Sequence, residues 1–253
     1  MSLYVTGLLW VGGAAVIAAL VAYLIRRYGD EGGRPDNNEA AGQVFTIVAG
    51  LQAVLVAFVL IALFDAVTQA GDSAYQEADS LVAASWASDA LGTGTGEEVR
   101  QLSRAYAVTV INEEWPGMQT GADFATSTGW AQLDELRRVV AQAPTEDEWQ
   151  VGRKAEATDQ LWEVYEARQA RLDAAGGEVT TVVWFVLITG SVLSIILALL
   201  FGGPLIRTHV LIVATLAATI TLLLYATYQL QNPFGGGAGV SPDAFEAAIE
   251  RFG

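Results

Sequence analysis

The sequence has no cysteine and only one histidine, and these shortages exclude several kinds of chemistry. Without cysteine there is no disulfide, no thiolate metal site and no cysteine nucleophile. A single histidine cannot provide the ligands of a histidine-rich zinc or di-iron centre, so we expect no metal and no other cofactor. Basic residues are also few, because the formal net charge is −15, and a nucleic-acid-binding protein needs basic surface to displace counterions. The composition therefore predicts neither an enzyme nor a protein that binds nucleic acid.

Charged residues are missing from four long stretches, at 5–25, 44–64, 179–206 and 210–231. A helix needs about 20 apolar residues to cross the hydrocarbon core of a bilayer. All four stretches reach that length, whereas helices in the core of a soluble protein rarely run so far without a charge. The sequence therefore predicts an all-α integral membrane protein, with the lipid bilayer as a partner. Its predicted transmembrane helices span 5–25, 44–64, 179–201 and 210–231.

Arginines in the short connections indicate the orientation of these helices. Short cytoplasmic loops of membrane proteins carry an excess of Lys and Arg, and the connections after the first and third helices both contain arginine. The residues concerned are Arg26, Arg27, Arg34 and Arg207. Both termini and the long segment between the second and third helices are therefore predicted to be extracytoplasmic in a multi-pass protein of the cell membrane.

Most of the negative charge lies between the second and third transmembrane helices. Residues 72–178 contain 20 acidic and 8 basic residues, a net charge of −12. Apolar residues there recur with helical spacing and never alternate over a useful length, which predicts a helical bundle. We divide the chain into transmembrane helices 1 and 2 (1–70), an acidic extracytoplasmic helical domain (71–177), transmembrane helices 3 and 4 (178–231), and a C-terminal loop with a short amphipathic helix (232–253).

Local signals predict where the helices of this domain begin and end. The apolar repeat of the second transmembrane helix continues without proline to Trp86, which predicts one long helix that leaves the membrane. Residues 92–96 are predicted to form a turn, and Pro116 with Gly117 is predicted to end the following helix. The apolar stripe of the last domain helix is predicted from Trp149, Leu161, Trp162, Tyr165 and Leu172. The C-terminal helix, capped by Ser241, could lie on the membrane surface or pack against the acidic domain.

Two places offer carboxylates that could carry a function. Glu113 and Glu114 could act as a pair, but adjacent residues of a helix point about 100° apart, so a solvated surface position is predicted for both. Asp65 ends the second transmembrane helix, where carboxylates of several subunits could form a ring that concentrates cations. The alternative for Asp65 is an ordinary charge at the membrane boundary.

Polar side chains inside the predicted spans are uncharged, which argues against a proton pump or a proton-coupled transporter. Gln52 lies near the middle of the second helix and needs a hydrogen-bond partner or a water there. Thr215, Thr219 and Thr221 lie on the fourth helix. Side chains of this kind could line a pore or hydrogen-bond within and between helices, and the sequence alone leaves both readings open.

Short motifs spread over residues 42–252 resemble those of a bacterial membrane family known as bestrophin-like. The residues that carry the resemblance are Glu77, Tyr106, Glu114, Trp115, Pro116, Arg168, Arg171, Trp184, Phe201, Gly202, Asn232, Pro233, Phe234 and Phe245. Bestrophins proper are pentameric ion channels with four spans and a helical extramembrane domain, and their second transmembrane helix lines an apolar neck. The resemblance therefore implies a homo-oligomer, a pentamer if it follows the family, that conducts inorganic ions.

The resemblance also implies which residues would form the pore. On the second helix Gln52, Val56, Val59 and Leu63 would line the neck, with Asp65 at its mouth. Two features differ from the family picture, because bestrophins hold their large domain in the cytoplasm and an acidic vestibule favours cations over anions. The expected function is a bestrophin-like channel or channel-like pore that favours cations. The alternative is a non-conducting membrane sensor or scaffold whose outer helical domain binds a ligand or a protein partner.

Overall fold

The computed structural model describes residues 3–28, 35–120, 127–177, 179–200 and 205–253. Within these ranges the chain contains helices, turns and short connections but no strand, which confirms the predicted all-α class. The motif positions Phe201 and Gly202, and also Arg34, lie outside the described residues. The α-helices are α1 (Leu3–Tyr28), α2 (Pro35–Ser88), α3 (Thr93–Thr109), α4 (Trp115–Thr120), α5 (Thr128–Gln142), α6 (Glu148–Gly176), α7 (Thr181–Leu200), α8 (Ile206–Leu230) and α9 (Asp243–Arg251).

The chain folds as two compact units. The first unit comprises Met1–Phe64 and Glu178–Gln231, as far as these are described, and the second comprises Asp65–Gly177 and Asn232–Gly253. Helix α2 supplies residues to both units because it runs for 54 residues. The C-terminal segment 232–253, which the sequence-based division sets apart, belongs to the second unit.

Among its described residues, the first unit has four stretches of helix that are long and apolar enough to cross a membrane, in α1, α2, α7 and α8. Helices α1 and α8 pack in opposite directions, since Ala22 near the end of α1 shares a buried cluster with Val213 near the start of α8. At the other end of this pair, a side chain at Gly7 would come within 2.7 Å of the Tyr225 ring. Small residues therefore allow the two helices to approach closely.

The second unit has a hydrophobic core built from the second half of α2 and from α3, α5, α6 and α9. Leu81, Leu136 and Leu161 are buried at its centre and come from α2, α5 and α6. Helix α9 packs on this core through Phe245, and Phe252, which directly follows the helix, is buried in the same core. Of the two places predicted for the C-terminal helix, the packed one is therefore observed.

A π turn at Val110–Glu114 joins α3 to α4, where the sequence predicts that Pro116 ends the helix. Proline has no N–H to donate, and in an α-helix its ring clashes with the carbonyl four residues earlier. The helix widens by one residue here, so that the N–H of Trp115 binds the carbonyl of Val110. The chain therefore remains helical past Pro116, and α4 ends at Thr120.

Two further predicted helix boundaries are also wrong. Residues 92–96 are not a turn, because α3 begins at Thr93, directly after Gly92. The φ angle of Gly92 is 101°, a conformation that glycine adopts without steric cost, so a single residue makes the break. The predicted cap at Ser241 is also not formed, since α9 begins at Asp243 and has no side-chain cap.

The apolar repeat predicted for α2 is confirmed as far as Val82 and fails at Trp86, and the apolar stripe predicted for α6 is only partly correct. Trp86 on α2 and Trp149 on α6 are both exposed, and Trp162 is half exposed. The buried stripe of α6 instead consists of Ala157, Leu161, Val164, Ala167, Arg168, Arg171 and Ala175. Helix α6 thus turns two arginines into the core, and its large aromatic residues remain outside.

Candidate functional site

Four charged side chains and a tyrosine are buried together in the second unit. Glu77 lies on α2, Tyr106 on α3, Glu114 in the π turn, and Arg168 and Arg171 on α6. None of the five exposes more than 1% of its surface. Charged residues are almost never fully buried unless they are paired, so these side chains must have partners inside the unit. We call these five residues the charge cluster.

The two arginines bind both carboxylates of the charge cluster. Arg171 contacts Glu77 twice, from Nε to Oε2 at 2.6 Å and from Nη2 to Oε1 at 3.0 Å. The same Nη2 donates to Oε2 of Glu114 at 3.0 Å. Arg168 contacts Glu114 twice, at 2.9 Å and 2.7 Å. Two-point contacts of this kind use the planar fork of a guanidinium group, which lysine lacks.

Two hydroxyl groups, one from Tyr106 and one from the neighbouring Ser127, bridge carboxylates and Arg168 in the charge cluster. The Tyr106 hydroxyl donates to Glu77 and accepts from Nη1 of Arg168 at 3.0 Å. The Ser127 hydroxyl donates to Oε1 of Glu114 at 3.0 Å and accepts from Nη2 of Arg168 at 2.8 Å. Two carboxylates thus face two guanidinium groups, and the cluster as a whole is close to neutral.

Helix register and a glycine bring these groups together. Arg168 and Arg171 are three residues apart, and with Leu161 they share the buried stripe of α6. Gly129 at the start of α5 leaves room where Glu114 and Arg168 meet. A side chain at Gly129 would lie 2.7 Å from Nη2 of Arg168 and would also overlap the Glu114 carboxylate.

The surroundings fix the ionisation of two members of the charge cluster. Burial alone would raise the pKa of Glu114, but hydrogen bonds and positive charge from Arg168 and Arg171 hold that pKa below its ordinary value of 4.5. Burial, reinforced by the charge of Glu77, raises the pKa of Tyr106 well above its ordinary value of 10.0. Near neutral pH, Glu114 is therefore a carboxylate and Tyr106 a neutral hydroxyl.

The charge cluster is a structural device rather than a reaction centre. Its carboxylates are already bonded and its side chains are shielded from solvent, so a dissolved substrate does not reach them. The prediction that Glu114 is solvated is wrong, because it is buried, whereas Glu113 is exposed as predicted. Arg168 and Arg171 are among the motif residues of the sequence, but their burial and pairing were not predicted. Their three-residue spacing on a stripe with Leu161 is the signal that could have shown their burial, although not their partners.

An aromatic group lies against the charge cluster. The indole N–H of Trp115 donates to the Val240 carbonyl at 3.1 Å. The Trp115 ring meets Phe234 and Phe245 edge-on, with ring centres 5.3 Å and 6.1 Å apart. The guanidinium carbon of Arg171 lies 5.9 Å from the centre of the Trp115 ring. These contacts join the segment after α8 to the charge cluster within the second unit.

The other motif residues do not belong to this group. Pro233 is buried beside Phe234, and Pro116 is exposed on α4. Trp184 lies in the first unit, where its indole N–H donates to Oε1 of Gln231 at 3.3 Å. The described motif residues therefore fall into separate structural roles rather than a single site.

Gln52 of α2 is bound to α7 inside the first unit. Its amide nitrogen donates to the Leu187 carbonyl at 2.9 Å and to the Ser191 hydroxyl at 3.2 Å. The Ser191 hydroxyl itself donates to the Leu187 carbonyl at 2.6 Å. The hydrogen-bond partner that a mid-span amide needs is thus supplied by the same chain.

The residues predicted to line a pore lie on the packed side of α2. Val56 is only 6% exposed, Gln52 is bound to α7, and Val59 and Leu63 are half-buried. A side chain packed inside one chain is not free to line a pore between chains. A pore-lining role for Gln52 and Val56 therefore does not fit this packing.

The opposite side of α2 carries an exposed apolar stripe, which we call the α2 stripe. Its residues are separated by four and three positions in turn, and each is between 54% and 67% exposed. They are Ile47, Leu51, Val54, Phe58 and Ile61. Within the second unit, Asp65, Asp72 and Asp79 of the same helix are exposed at intervals of seven residues. Spacing of three, four and seven keeps side chains on one face of a helix.

The threonines of the fourth predicted span have two different surroundings. Thr215 and Thr219 donate to carbonyl groups of their own helix, at 2.9 Å and 3.0 Å. Thr221 lines an open groove of about 410 Å³ between α1 and α8, together with Trp10 and Tyr228. Bonding within the helix, one of the readings that the sequence leaves open, is therefore observed for two of the three.

Comparison with known proteins bears on both family and fold. A family model described as a bestrophin-like domain matches residues 12–245. One similar solved structure is a crystal structure of a membrane protein variant, with a TM-score of 0.72 and 11% identity over 96% of this chain and 97% of that one. Another is a mutant bacterial bestrophin homologue from Klebsiella pneumoniae, with a TM-score of 0.71 and 12% identity over 94% of each chain. No curated protein matches this chain in sequence. At such identities the solved structures show a shared fold.

Proposed function

Because the chain belongs to the bestrophin-like family, we propose that it forms an oligomeric ion channel of a cell membrane, and not an enzyme. In this proposal α1, α7, α8 and the first half of α2 cross the bilayer. The second unit is a helical domain outside the membrane, inserted between α2 and α7. Copies of the chain form a ring, with five members if it follows the bestrophins.

The α2 stripe is the observation that carries this proposal. It is apolar and exposed, and from Ile47 to Ile61 it extends about 21 Å at a rise of about 1.5 Å per residue. Around a central axis, such stripes would form an apolar neck, which can control ion flow by dewetting. We therefore assign the neck to the α2 stripe instead of the side of α2 that carries Gln52 and Val56.

We further propose that the entrance to this neck favours cations. Asp65, Asp72 and Asp79 would each form a ring of carboxylates in an oligomer, and residues 72–178 have a net charge of −12. Rings of Asp or Glu concentrate cations at a pore mouth. The acidic surface of the second unit supports the same preference.

The mass of the purified protein and ion flux in liposomes test the channel. We expect a homo-oligomer that conducts, and a non-conducting monomer would contradict the channel. The double variant Asp72→Asn and Asp79→Asn should lower the ratio of cation to anion permeability. Asp159→Asn removes an exposed aspartate from α6 and serves as the matched control, which should leave that ratio unchanged. An unaltered ratio in the double variant would remove these carboxylates from the ion path.

We propose that the second unit and both termini face away from the cytoplasm, as the arginines of the short connections indicate. The chain has no cysteine, so a single engineered one reports its own location. Asp159→Cys places a thiol at an exposed position of α6. A membrane-impermeant maleimide should label it on intact cells, and labelling only after lysis would reverse the orientation.

A non-conducting sensor or scaffold is the second candidate. Trp86, Trp149 and Trp162 are exposed on the second unit, and tryptophan is enriched at protein interfaces. Under this reading the unit binds a ligand or protein partner through these side chains. A purified oligomer that passes no ions in liposomes would favour this reading over the channel.

A further inference from the structure

We infer that Gln52, Gly190 and Ser191 form a lock that holds the first half of α2 in its observed rotation against α7. The inference rests on the proposed channel, because this rotation decides which side of α2 would face the pore. The lock itself is a contact within one chain, between α2 and α7 of the first unit.

Gly190 makes the contact sterically possible. A side chain there would come within 2.8 Å of the amide carbon of Gln52, and it would overlap the amide oxygen. The Gln52 amide thus occupies the space that any other residue at position 190 would fill. Gly50, on α2 itself, has nothing within 4 Å of the corresponding position, so the requirement for glycine is specific to Gly190.

Hydrogen bonds make the contact directional. The amide nitrogen of Gln52 meets the Leu187 carbonyl and the Ser191 hydroxyl, which are one helical turn apart on α7. Gln52, Leu187 and Ser191 are therefore mutually bonded, since Ser191 also donates to Leu187. If α2 turned by even one residue, about 100°, the amide would leave these partners for apolar surroundings.

The lock therefore keeps one side of α2 packed and the other exposed. With the lock closed, Leu63 is half-buried on the packed side and Phe58 is 67% exposed on the α2 stripe. If Gly190 becomes alanine, Gln52 is displaced and the first half of α2 loses this restraint on its rotation, while the second half stays held by the core of the second unit. Phe58 then becomes less accessible and Leu63 more accessible.

A spin-label experiment tests the lock without depending on conduction. Nitroxides are attached to Phe58→Cys or Leu63→Cys in the otherwise cysteine-free protein in liposomes, and oxygen accessibility is measured by electron paramagnetic resonance. Gly190→Ala should shift the two accessibilities in opposite directions, whereas the control Gly50→Ala should shift neither. Unchanged accessibilities in Gly190→Ala would overturn the lock.

If Gly190→Ala does not fold, a milder variant still tests the lock. Gln52→Met keeps the length of the side chain but removes its hydrogen bonds, so it should give the same opposite shifts. Absence of these shifts in a folded Gln52→Met protein would also overturn the lock. Flux measured on the same samples is a separate result. If no variant conducts, the channel proposal fails while the spin labels still decide the lock.

Discussion

Arg171→Met removes one guanidinium group from the charge cluster and should strongly destabilise the second unit. Glu77 loses both contacts to Arg171, and Glu114 loses one of its two cationic partners. Breaking a buried ion pair from one side costs about 3–5 kcal/mol, because the remaining charge is left buried without its partner. Whole domains are stable by only about 5–15 kcal/mol, so this loss is a large part of the total.

Thermal unfolding in detergent, followed by tryptophan fluorescence, measures this effect. A loss of this size should lower the Tm by roughly 10 °C, at about 2–4 °C for each kcal/mol in a chain of this length. Trp115 reports on the site directly, because its ring lies beside Arg171. Arg138→Met is the matched control, since Arg138 pairs with Glu135 on the exposed surface and its removal should change the Tm little.

A double variant separates lost charge pairing from lost packing. Glu77→Leu combined with Arg171→Met replaces both ends of the pair by apolar side chains, which is commonly less harmful than breaking a buried pair from one side. The double variant should therefore unfold at a higher temperature than Arg171→Met alone. If Arg171→Met unfolds like the Arg138→Met control, the charge cluster does not hold the unit together.

Three further predictions concern pH and close packing. The pKa of Glu114 is lowered in the folded protein, so the carboxylate contributes stability that is complete at pH values above its ordinary pKa of 4.5. This stability is lost as the pH falls through the lower pKa of the folded state. Unfolding curves measured over a pH series should show the loss, and Glu114→Gln should lack it. Gly129→Ala should cost about 1–3 kcal/mol by overpacking, measured as a lower Tm, and an unchanged Tm would show that the cluster can yield. Gly7→Ala should likewise lower the Tm because it meets Tyr225 at 2.7 Å, whereas Gly12→Ala has open space and should be neutral.

The membrane helices could be predicted from the sequence because their signal is local. Charge-free length alone identifies a stretch that can cross a bilayer, and each of the four stretches contains a long helix among its described residues. The length of α2 follows from the same kind of signal, since its apolar repeat continues without proline. The presence of long apolar helices and the length of α2 could therefore be predicted, because each depends on a single helix.

The charge cluster depends on how helices meet, which no local pattern gives. Arginines on a helix are usually exposed, so the burial of Arg168 and Arg171 is explained only when Glu77 and Glu114 are known to face them. The burial of Glu114 also depends on the π turn at Val110–Glu114. This turn lies just before Pro116, and a proline is usually taken to mark the end of a helix. The packed side of α2 was missed for a related reason, because the contact of Gln52 with Gly190 joins positions far apart in the sequence.

The reversal potential of the purified protein in planar bilayers, under a KCl gradient, shows whether the protein conducts ions and which ion it favours. We predict a conductance carried by the oligomer, with a reversal potential displaced toward the potassium equilibrium potential. Membranes that contain the protein but show no current above protein-free controls would contradict the channel. A potential displaced toward the chloride value would leave a channel but contradict the cation-favouring entrance.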